Sequence, residues 1–335
     1  MSKTLLEVND SLCDDFGEDI YFQKEYAKFY GEVFEFDYKE QEKFLKVIAN
    51  KQGIENTSFF DLQSPYGYGG IYSNSSDEAF LTRALESLKQ RALEEKIIAF
   101  FIRFHPFDKN LSFYEKKLDF FVKKRKIVIV PMYETLEQIR ASYSPRIKTY
   151  IKKARKELEI SRAEPSDAKD FKKLYDKTME KNKAGEFYFF DEVYFKELFK
   201  FKQSLILKAS YAKENLAYAS FFLGEKFAYY HLSANKNEKN ANAALLDFAF
   251  ELCLKKNIHF VLLGGGVKNE DSLFYFKQKF STLEGFFHIG GIVFDALNYK
   301  ELCKAYKNNF FLKYRIRGGG GLEIIFISFV RLIKE

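Results

Sequence analysis

The stretch that decides the fold is HFVLLGGG at 259–266, together with the overlapping segment GGGVKNEDSLFYFKQKFS at 264–281. The apolar run that ends in glycines predicts a fully buried strand. Asp271–Phe280 predicts a short helix, because an aspartate precedes apolar residues at helical spacing. The pair of elements indicates a strand that turns through glycines directly into a helix.

The elements on either side of this stretch alternate in the order β-α-α-β-β-β-α-β-α-β. A basic helix starting at Pro145 precedes them, and a helix over 299–307 closes the series. The intervening elements are strands at 158–163, 204–212, 216–224, 226–234, 259–266 and 286–295, and helices capped at Ser166 and covering Asp191–Phe201, Asn242–Lys256 and Asp271–Phe280. Three consecutive strands followed by a βαβ unit predict a mixed sheet with helices on both faces.

The first half has the same mixture of elements. We predict strands at 4–8, 33–38, 97–104 and 127–132, and helices at Glu40–Ala49 and Glu78–Leu93. The segment DLQSPYGYGG at 61–70 is predicted to be a loop, because Pro65 and three glycines disfavour regular structure. A chain of 335 residues is expected to form about two domains.

Composition excludes several broad classes of protein. The chain is 47% hydrophobic and 30% charged, which is too apolar for a disordered protein. Three cysteines without a CxxC pair argue against a disulfide framework and for a reducing compartment. The acidic N-terminus is unlike a signal peptide, and no uncharged apolar run reaches the ~20 residues of a membrane helix. We therefore predict a cytoplasmic protein without a transmembrane segment.

Charge is unevenly distributed along the chain. Residues 1–60 contain 13 acidic and 7 basic side chains, whereas residues 123–156 contain 11 basic and 2 acidic ones. The basic segment indicates a polyanionic partner: a phosphate or pyrophosphate, an RNA such as tRNA, or peripheral contact with a membrane surface. The alternative is a solvated helix face with flexible lysines.

Motif searches exclude several enzyme classes. The sequence has no GxxxxGK[ST], no GxGxxG after a strand, no HExxH and no GxSxG. These absences argue against kinases, Rossmann dehydrogenases, zinc hydrolases and hydrolases with a nucleophile elbow. Four histidines at scattered positions do not predict a metal site.

Four strings together carry a family resemblance: the 264–281 segment, SPYGYGG at 64–70, IRFHP at 102–106 and YYHLSA at 229–234. They resemble the FemAB/FemX-like branch of the GNAT acyltransferase superfamily over roughly residues 30–305. The resemblance implies an α/β (α+β) fold with two GNAT-like subdomains, each a mixed, mainly antiparallel sheet flanked by helices. We assign them to 1–143, a degenerate copy, and 144–315, and we expect the Gly-rich, apolar tail at 316–335 to be dispensable.

The resemblance also implies an activity. The best-known members of this branch transfer an amino acid from aminoacyl-tRNA to the peptide stem of a cell-wall precursor, and more distant members are described as acetyltransferases. For this chain the resemblance implies transfer of an acetyl or aminoacyl group to an amino group, with a hydroxyl less favoured, of a cell-envelope glycan or peptidoglycan precursor. The donor would be acetyl-CoA or aminoacyl-tRNA as a co-substrate, with no tightly bound cofactor. The acceptor would be a nucleotide-sugar, a glycan or a lipid-linked precursor.

The F-K-x-x-F motif of the family matches Phe276–Phe280, which implies that Lys277 stabilises developing charge; Ser281 stands where glycine is usual. Acyl transfer passes through an oxyanion, for which a lysine is a suitable partner. The attacking amine must lose a proton, and Asp271 and His231 are the candidate bases. Their alternative roles are a helix cap and a half-buried imidazole.

The donor loop of GNAT enzymes corresponds to Lys239–Ala244, with asparagine where glycine is expected. A helix N-terminus there favours phosphate, and the predicted donor-binding residues are Ser233, Lys239, Asn242 and Ala244; the alternative is a plain helix start. The predicted acceptor-binding residues are phosphate-binding cations, stacking tyrosines and an aromatic residue of the motif: Arg103, Arg146, Lys152, Arg155, Tyr66, Tyr68 and Phe276.

Two other functions stay open at this point. One is an ordinary CoA-dependent GNAT N-acetyltransferase acting on an amino sugar or another small amine. The other is a non-catalytic RNA- or envelope-binding protein on the same fold, which the basic helix at 145–156 would serve.

Overall fold

The computed structural model describes residues 16–185, 188–266 and 270–315, and these form two compact units. Unit 1 comprises the described residues of 126–285, and unit 2 comprises 16–125 with 286–315. The predicted strand at 4–8 and the tail at 316–335 lie outside the described residues. The predicted pieces 1–143 and 144–315 stay predictions.

The described residues contain twelve strands, numbered in chain order. They are β1 Val33–Glu40, β2 Lys43–Gly53, β3 Phe60–Gln63, β4 Gly70–Ser73, β5 Ile97–Arg103, β6 Phe120–Pro131, β7 Glu159–Arg162, β8 Ser204–Tyr211, β9 Glu214–Leu223, β10 Phe227–Asn235, β11 Phe260–Gly264 and β12 Leu283–Val293.

Ten α-helices accompany them. They are α1 Lys24–Ala27, α2 Glu78–Glu94, α3 Leu111–Lys117, α4 Leu136–Ala141, α5 Pro145–Glu157, α6 Ala168–Lys181, α7 Glu192–Lys200, α8 Ala241–Lys255, α9 Ser272–Gln278 and α10 Ala296–Lys304. Among the described helices, none has the length and apolar character needed to cross a membrane.

The sheet of unit 1 has the strand order β6-β11-β10-β9-β8-β7. Neighbouring strands are antiparallel, except that β10 and β11 are parallel. Helix α8 connects the parallel pair, as a parallel connection requires a crossover. Eight buried apolar residues of α8 pack in a core with apolar side chains of β8, β9 and α5.

The sheet of unit 2 repeats this plan. Its strand order is β1-β2-β3-β5-β12, with β4 also paired to β2. All pairs are antiparallel except β3 and β5, which are parallel. Helix α2 precedes β5 and buries Phe80, Leu81, Ala84 and Leu88 against the sheet. The predicted fold class is confirmed in both units.

One predicted helix is wrong. Glu40–Ala49 forms the end of β1 and most of β2 instead. Leu45, Ile48 and Ala49 fit a helical period, but Leu45, Val47 and Ala49 also fit the two-residue period of a strand. β2 pairs with β1, β3 and β4, and this tertiary pairing overrides the local pattern.

The predicted cap of the helix after 163 is also wrong. A 3₁₀ turn over Pro165–Asp167 precedes α6, and Asp167 Oδ2 accepts a hydrogen bond from the Glu164 amide at 2.7 Å. Ser166 is exposed. An aspartate one residue later can close this turn through its carboxylate, which a sequence pattern alone does not distinguish from a serine cap.

Candidate active site

A gap opens in the sheet of unit 1 between β10 and β11. The parallel ladder joins Phe227–Tyr229 to Phe260–Leu262 and ends there among the described residues. β10 continues to Asn235 with an irregular register after Tyr230, while Gly264 of β11 pairs with Val128 on its other side. Beyond Tyr229 and Leu262 the two strands are no longer joined by this ladder among the described residues, and we call this interruption of the ladder the gap.

Glycines shape the turn at the end of β11. Gly264 has φ +74°, a conformation that side chains rarely adopt. At Gly266 a Cβ atom would lie 2.0 Å from Asp271 Oδ1, so only glycine fits against that carboxylate. Asp271 caps α9 by accepting a hydrogen bond from the Phe274 amide at 2.9 Å. The strand is thereby followed closely by α9, as the sequence predicts.

Helix α9 directs Lys277 toward the end of β11. Its Nζ donates to the Gly265 carbonyl oxygen at 2.7 Å, and only 7% of the residue is exposed. Burial lowers the pKa of Lys277 to about 7, and the negative charge of Asp271 partly opposes that shift. Near neutral pH the amine therefore exchanges readily between its charged and neutral forms.

Tyr230 and Asn242 complete the cluster. Nζ of Lys277 lies 5.6 Å from the centre of the Tyr230 ring. The Tyr230 hydroxyl donates to Asn242 Oδ1 at 3.3 Å, and Ser233 is a further hydrogen-bonding partner of Tyr230. Burial raises the pKa of the Tyr230 phenol, which keeps it a neutral donor. The structure thus brings three residues predicted from the sequence together with Tyr230, which the sequence analysis missed.

The two candidate bases occupy different places. Asp271 lies close enough to Lys277 to influence its pKa. His231 contacts the Tyr194 hydroxyl of α7 at 2.6 Å, and its ring lies tilted beside that of Phe222, with 4.4 Å between the ring centres. Burial lowers the pKa of His231 to about 3, so the imidazole is neutral at physiological pH. The structure does not bring His231 to Lys277, and both catalytic roles stay predictions.

The backbone amides at the start of α8 mostly donate hydrogen bonds to carbonyl oxygens of neighbouring residues. The Ala241 amide donates to the Glu238 carbonyl, and the Ala243 and Ala244 amides donate to the Asn240 carbonyl. Ala244 is fully buried in the core of unit 1. Lys239 pairs with Glu157 at 2.9 Å, and this pairing raises its pKa. Donor binding by Lys239 and Ala244 stays a prediction without further support here.

The predicted acceptor residues of unit 1 differ in exposure and in their partners. Arg155 pairs with Glu251 at 2.8 Å and with the buried Asp247 at 3.3 Å. Arg146 donates to the Tyr150 hydroxyl, and Lys152 is exposed. Phe276 is half-buried against Phe280, next to Lys277 in the sequence.

The predicted acceptor residues of unit 2 are mostly internal. Arg103 is 2% exposed, donates to the Ser64 carbonyl oxygen at 2.7 Å, and has its pKa lowered to about 10 by burial. Tyr68 packs against Tyr21, and burial raises its phenol pKa. The carbonyl of Tyr66 accepts a hydrogen bond from Tyr26. Their roles in acceptor binding stay predictions.

Comparison with solved structures identifies the fold of the chain. A crystal structure of FemX superposes on 88% of this chain and 98% of its own, with a TM-score of 0.68 and 13% sequence identity. The chain has the fold of FemX. The resemblance to FemX in the sequence is therefore confirmed at the level of the fold. No protein-family model and no curated protein matches the chain.

Two further structures share the FemX fold. L-PGS from Bacillus licheniformis covers 79% of this chain and 86% of its own, at a TM-score of 0.53 and 13% identity. The C-terminal domain of a putative lysylphosphatidylglycerol synthetase from Agrobacterium fabrum covers 86% and 92%, at a TM-score of 0.53 and 15% identity. At these identities the likeness establishes the FemX fold alone.

Proposed function

We propose that this protein is an acyltransferase that moves an aminoacyl group to an amino group of a cell-envelope precursor. The observation that carries the proposal is the gap beside β10, with the buried amine of Lys277 at its end. The acyl donor would lie where the β10–β11 ladder ends, beside Lys277. A buried amine of adjustable charge suits a reaction that develops an oxyanion.

The reaction assigns a role to each residue of the cluster. The amine of the acceptor attacks the acyl carbonyl, and a tetrahedral oxyanion forms. Protonated Lys277 donates a hydrogen bond to that oxygen, in a site where burial strengthens electrostatic interactions. Collapse of the intermediate breaks the ester bond and forms an amide. The proton lost by the attacking amine goes to the departing hydroxyl oxygen of the donor. Tyr230 and Asn242 would position the acyl chain through their polar groups.

The start of α8 favours an aminoacyl ester over acetyl-CoA as the donor. A pyrophosphate needs several free backbone amides at a helix N-terminus. Here the amides of Ala241, Ala243 and Ala244 donate to chain carbonyls, and Lys239 is paired with Glu157. A donor that does not depend on a pyrophosphate loop fits these contacts better.

The envelope acceptor is supported by the kind of protein that shares the fold. Lysylphosphatidylglycerol synthetases are named for a lysyl group on a membrane lipid. The FemX-like strings of the sequence imply an amino group on a peptidoglycan or glycan precursor. Both point to an acceptor carried by a nucleotide-sugar or a lipid.

Single-turnover transfer from mixed aminoacyl-tRNA to a pool of amine-bearing envelope precursors tests the function. Wild-type protein should form an amide product detectable by mass spectrometry, and Lys277→Ala should abolish most of it while circular dichroism shows an intact fold. Product formation from acetyl-CoA alone would identify an N-acetyltransferase instead. No product from either donor would support a non-catalytic binding protein.

A further inference from the structure

Helix α5 carries a row of lysines that faces away from the core of unit 1. Lys148, Lys152 and Lys156 lie four residues apart, so their side chains follow one another along one face. All three are exposed, whereas Ile147 and Ile151 are buried. At a rise of ~1.5 Å per residue, the row extends over about 12 Å. We call these three lysines the α5 ridge.

Carboxylates near α5 neutralise other cations. Asp247 binds Arg140 at 2.6 Å and Arg155 at 3.3 Å. Glu157, on α5 itself, binds Lys239 at 2.9 Å. Arg140 and Arg155 are thus held in ion pairs with acidic side chains of unit 1. Within the α5 ridge, Lys148 Nζ donates to the Ala141 carbonyl at 3.1 Å, and Lys152 and Lys156 are exposed.

Two exposed apolar side chains lie on the neighbouring helix α9. Leu273 is 38% exposed and Tyr275 is 51% exposed. The end of α9 meets the start of α5, because the Ser144 amide donates to the Lys279 carbonyl at 2.8 Å. Ser142 Oγ donates to the Phe280 carbonyl at 2.9 Å at the same junction. Leu273 and Tyr275 are two residues apart and therefore project to opposite sides of α9, so only one of them can share a surface with the α5 ridge.

We propose that the α5 ridge, with the more exposed Tyr275 of α9, docks unit 1 on an anionic lipid surface. Anionic headgroups attract lysines near the membrane surface. Stable attachment needs a second signal, which insertion of the Tyr275 ring supplies. Since α9 also carries Lys277, docking would hold the site of the proposed function near a lipid-linked acceptor. That consequence rests on the proposed function, whereas docking itself does not.

The details of α5 favour lipid over RNA. Its outward ridge consists of lysines, which act as point charges, whereas Arg155, suited to bidentate phosphate contacts, turns inward. Binding of single-stranded RNA uses exposed aromatic rings for base stacking. The aromatic ring of α5, Tyr150, is half-buried with Arg146 5.3 Å from its centre.

Vesicle co-sedimentation of the full chain tests the docking. The vesicles contain phosphatidylcholine with phosphatidylglycerol, or phosphatidylcholine alone, at low and high salt. The test variant is K148Q/K152Q/K156Q. The matched control is K169Q/K173Q/K177Q, because these exposed lysines of α6 have the same spacing on another helix of unit 1.

Wild-type protein should bind phosphatidylglycerol vesicles, lose binding at high salt, and bind phosphatidylcholine weakly. The α5 variant should lose about a hundredfold in partition coefficient, from roughly one kcal/mol per lysine, while the α6 control binds as wild type. Replacing Tyr275 by Asn should weaken binding further, whereas Leu273→Asn, on the other side of α9, should not.

Equal loss in both triple variants, or no vesicle binding by wild type, would overturn the proposal. Salt-sensitive binding of an RNA hairpin that the α5 variant alone loses, without vesicle binding, would assign the ridge to RNA. These assays measure no transfer, so their failure is separate from failure of the proposed function.

Discussion

Units 1 and 2 share one strand plan but differ at the end of their parallel pair. In unit 1, β10 and β11 part after Tyr229 and Leu262. In unit 2, β3 and β5 stay joined beyond their ladder, because the Ser64 amide donates to the Phe101 carbonyl at 2.9 Å and the Arg103 amide donates to Ser64 Oγ at 3.0 Å. The guanidinium of Arg103 binds the Ser64 carbonyl as well.

The difference shows how one strand plan yields an interrupted ladder in one unit and a joined strand pair in the other. A ligand can bind along strands only where backbone groups are left to it. Ser64 and Arg103 use those groups in unit 2, which explains why Arg103 is internal. In unit 1 the corresponding region is bordered by glycines and by Lys277.

Two lysines at matching positions, Lys277 in unit 1 and Lys116 in unit 2, also differ in burial. Phe113–Lys116 in α3 and Phe274–Lys277 in α9 share the string F-Y-x-K, and each helix follows the parallel strand of its unit. Lys277 is buried against Gly265, whereas Lys116 is exposed and lies 3.9 Å from Glu78. Only the first of the two lysines is placed to influence a reaction in a strand gap.

The largest expected effect is on turnover. Lys277→Ala should lower the transfer rate by about 10²–10³-fold, the usual loss for one oxyanion donor. Lys116→Ala is the matched control and should transfer at the wild-type rate. Single-turnover kinetics with saturating donor measure both. Equal rates for Lys277→Ala and wild type would remove Lys277 from the mechanism.

The pH dependence of stability should have opposite signs in the two units. Lys277, with its pKa lowered to about 7, binds fewer protons folded than unfolded between pH 7 and about 10.5, so its contribution to stability rises with pH. Asp108 of unit 2 is 6% exposed, and burial raises its pKa to about 7. It binds more protons folded than unfolded between about pH 4 and 7, so its contribution falls as pH rises there.

Each group should change the free energy of unfolding by roughly 1.4 kcal/mol per unit of pKa shift. Lys277→Met should remove the rise in stability between pH 7 and about 10.5, and Asp108→Asn should remove the fall in stability between about pH 4 and 7. Hydrogen exchange of core amides in each unit, followed across pH, reads the two effects separately. Profiles that both variants leave unchanged would contradict these assignments.

The joining of β3 and β5 in unit 2 beyond their ladder should depend on the Ser64 hydroxyl. Ser64→Ala leaves the buried Arg103 amide without its acceptor, which should cost about 1–3 kcal/mol in chemical denaturation. Ser233→Ala at the open pair of unit 1 should cost less than 1 kcal/mol, because Ser233 is half-buried. The reverse order of the two losses would mean that unit 2 is not held closed in this way.

The smallest expected effect concerns the hydroxyl of Tyr230. Tyr230→Phe removes its hydrogen bond to Asn242 and should lower kcat/KM by about tenfold, equivalent to one ordinary hydrogen bond. Tyr229→Phe, on the neighbouring buried position of β10, serves as the control. A loss as large as that of Lys277→Ala would give Tyr230 a direct chemical role.

Hydrophobic periodicity, together with glycine, proline and helix-capping residues, predicted most of the helices and strands. The apolar run before Gly264, the aspartate before α9 and the basic helix from Pro145 all predicted elements that the structure contains. Glu40–Ala49 failed because its residues satisfy both helical and strand periods, and only pairing with three strands distinguishes them.

The sequence predicted those residues of the candidate site that belong to a motif or flank a helix start. It did not predict the residues whose place depends on side-chain packing. Lys277 stood in a short motif, and Asn242 and Ser233 flanked a helix start. Tyr230 was hidden among the aromatic residues of a chain with 22 tyrosines and 39 phenylalanines. Arg103 looked like a phosphate-binding cation, since sequence cannot show that its guanidinium donates to the Ser64 carbonyl inside the sheet.

The measurement that tests the central claim most directly is thermal unfolding of the full chain with an amide-linked aminoacyl-tRNA analogue, uncharged tRNA and acetyl-CoA. A donor at a hundred times its Kd should stabilise the protein by about 2.7 kcal/mol. If the gap of unit 1 holds an aminoacyl group, the analogue should raise Tm more than uncharged tRNA does, and Lys116→Ala should keep that difference. Equal shifts with charged and uncharged tRNA, or a shift with acetyl-CoA alone, would contradict it.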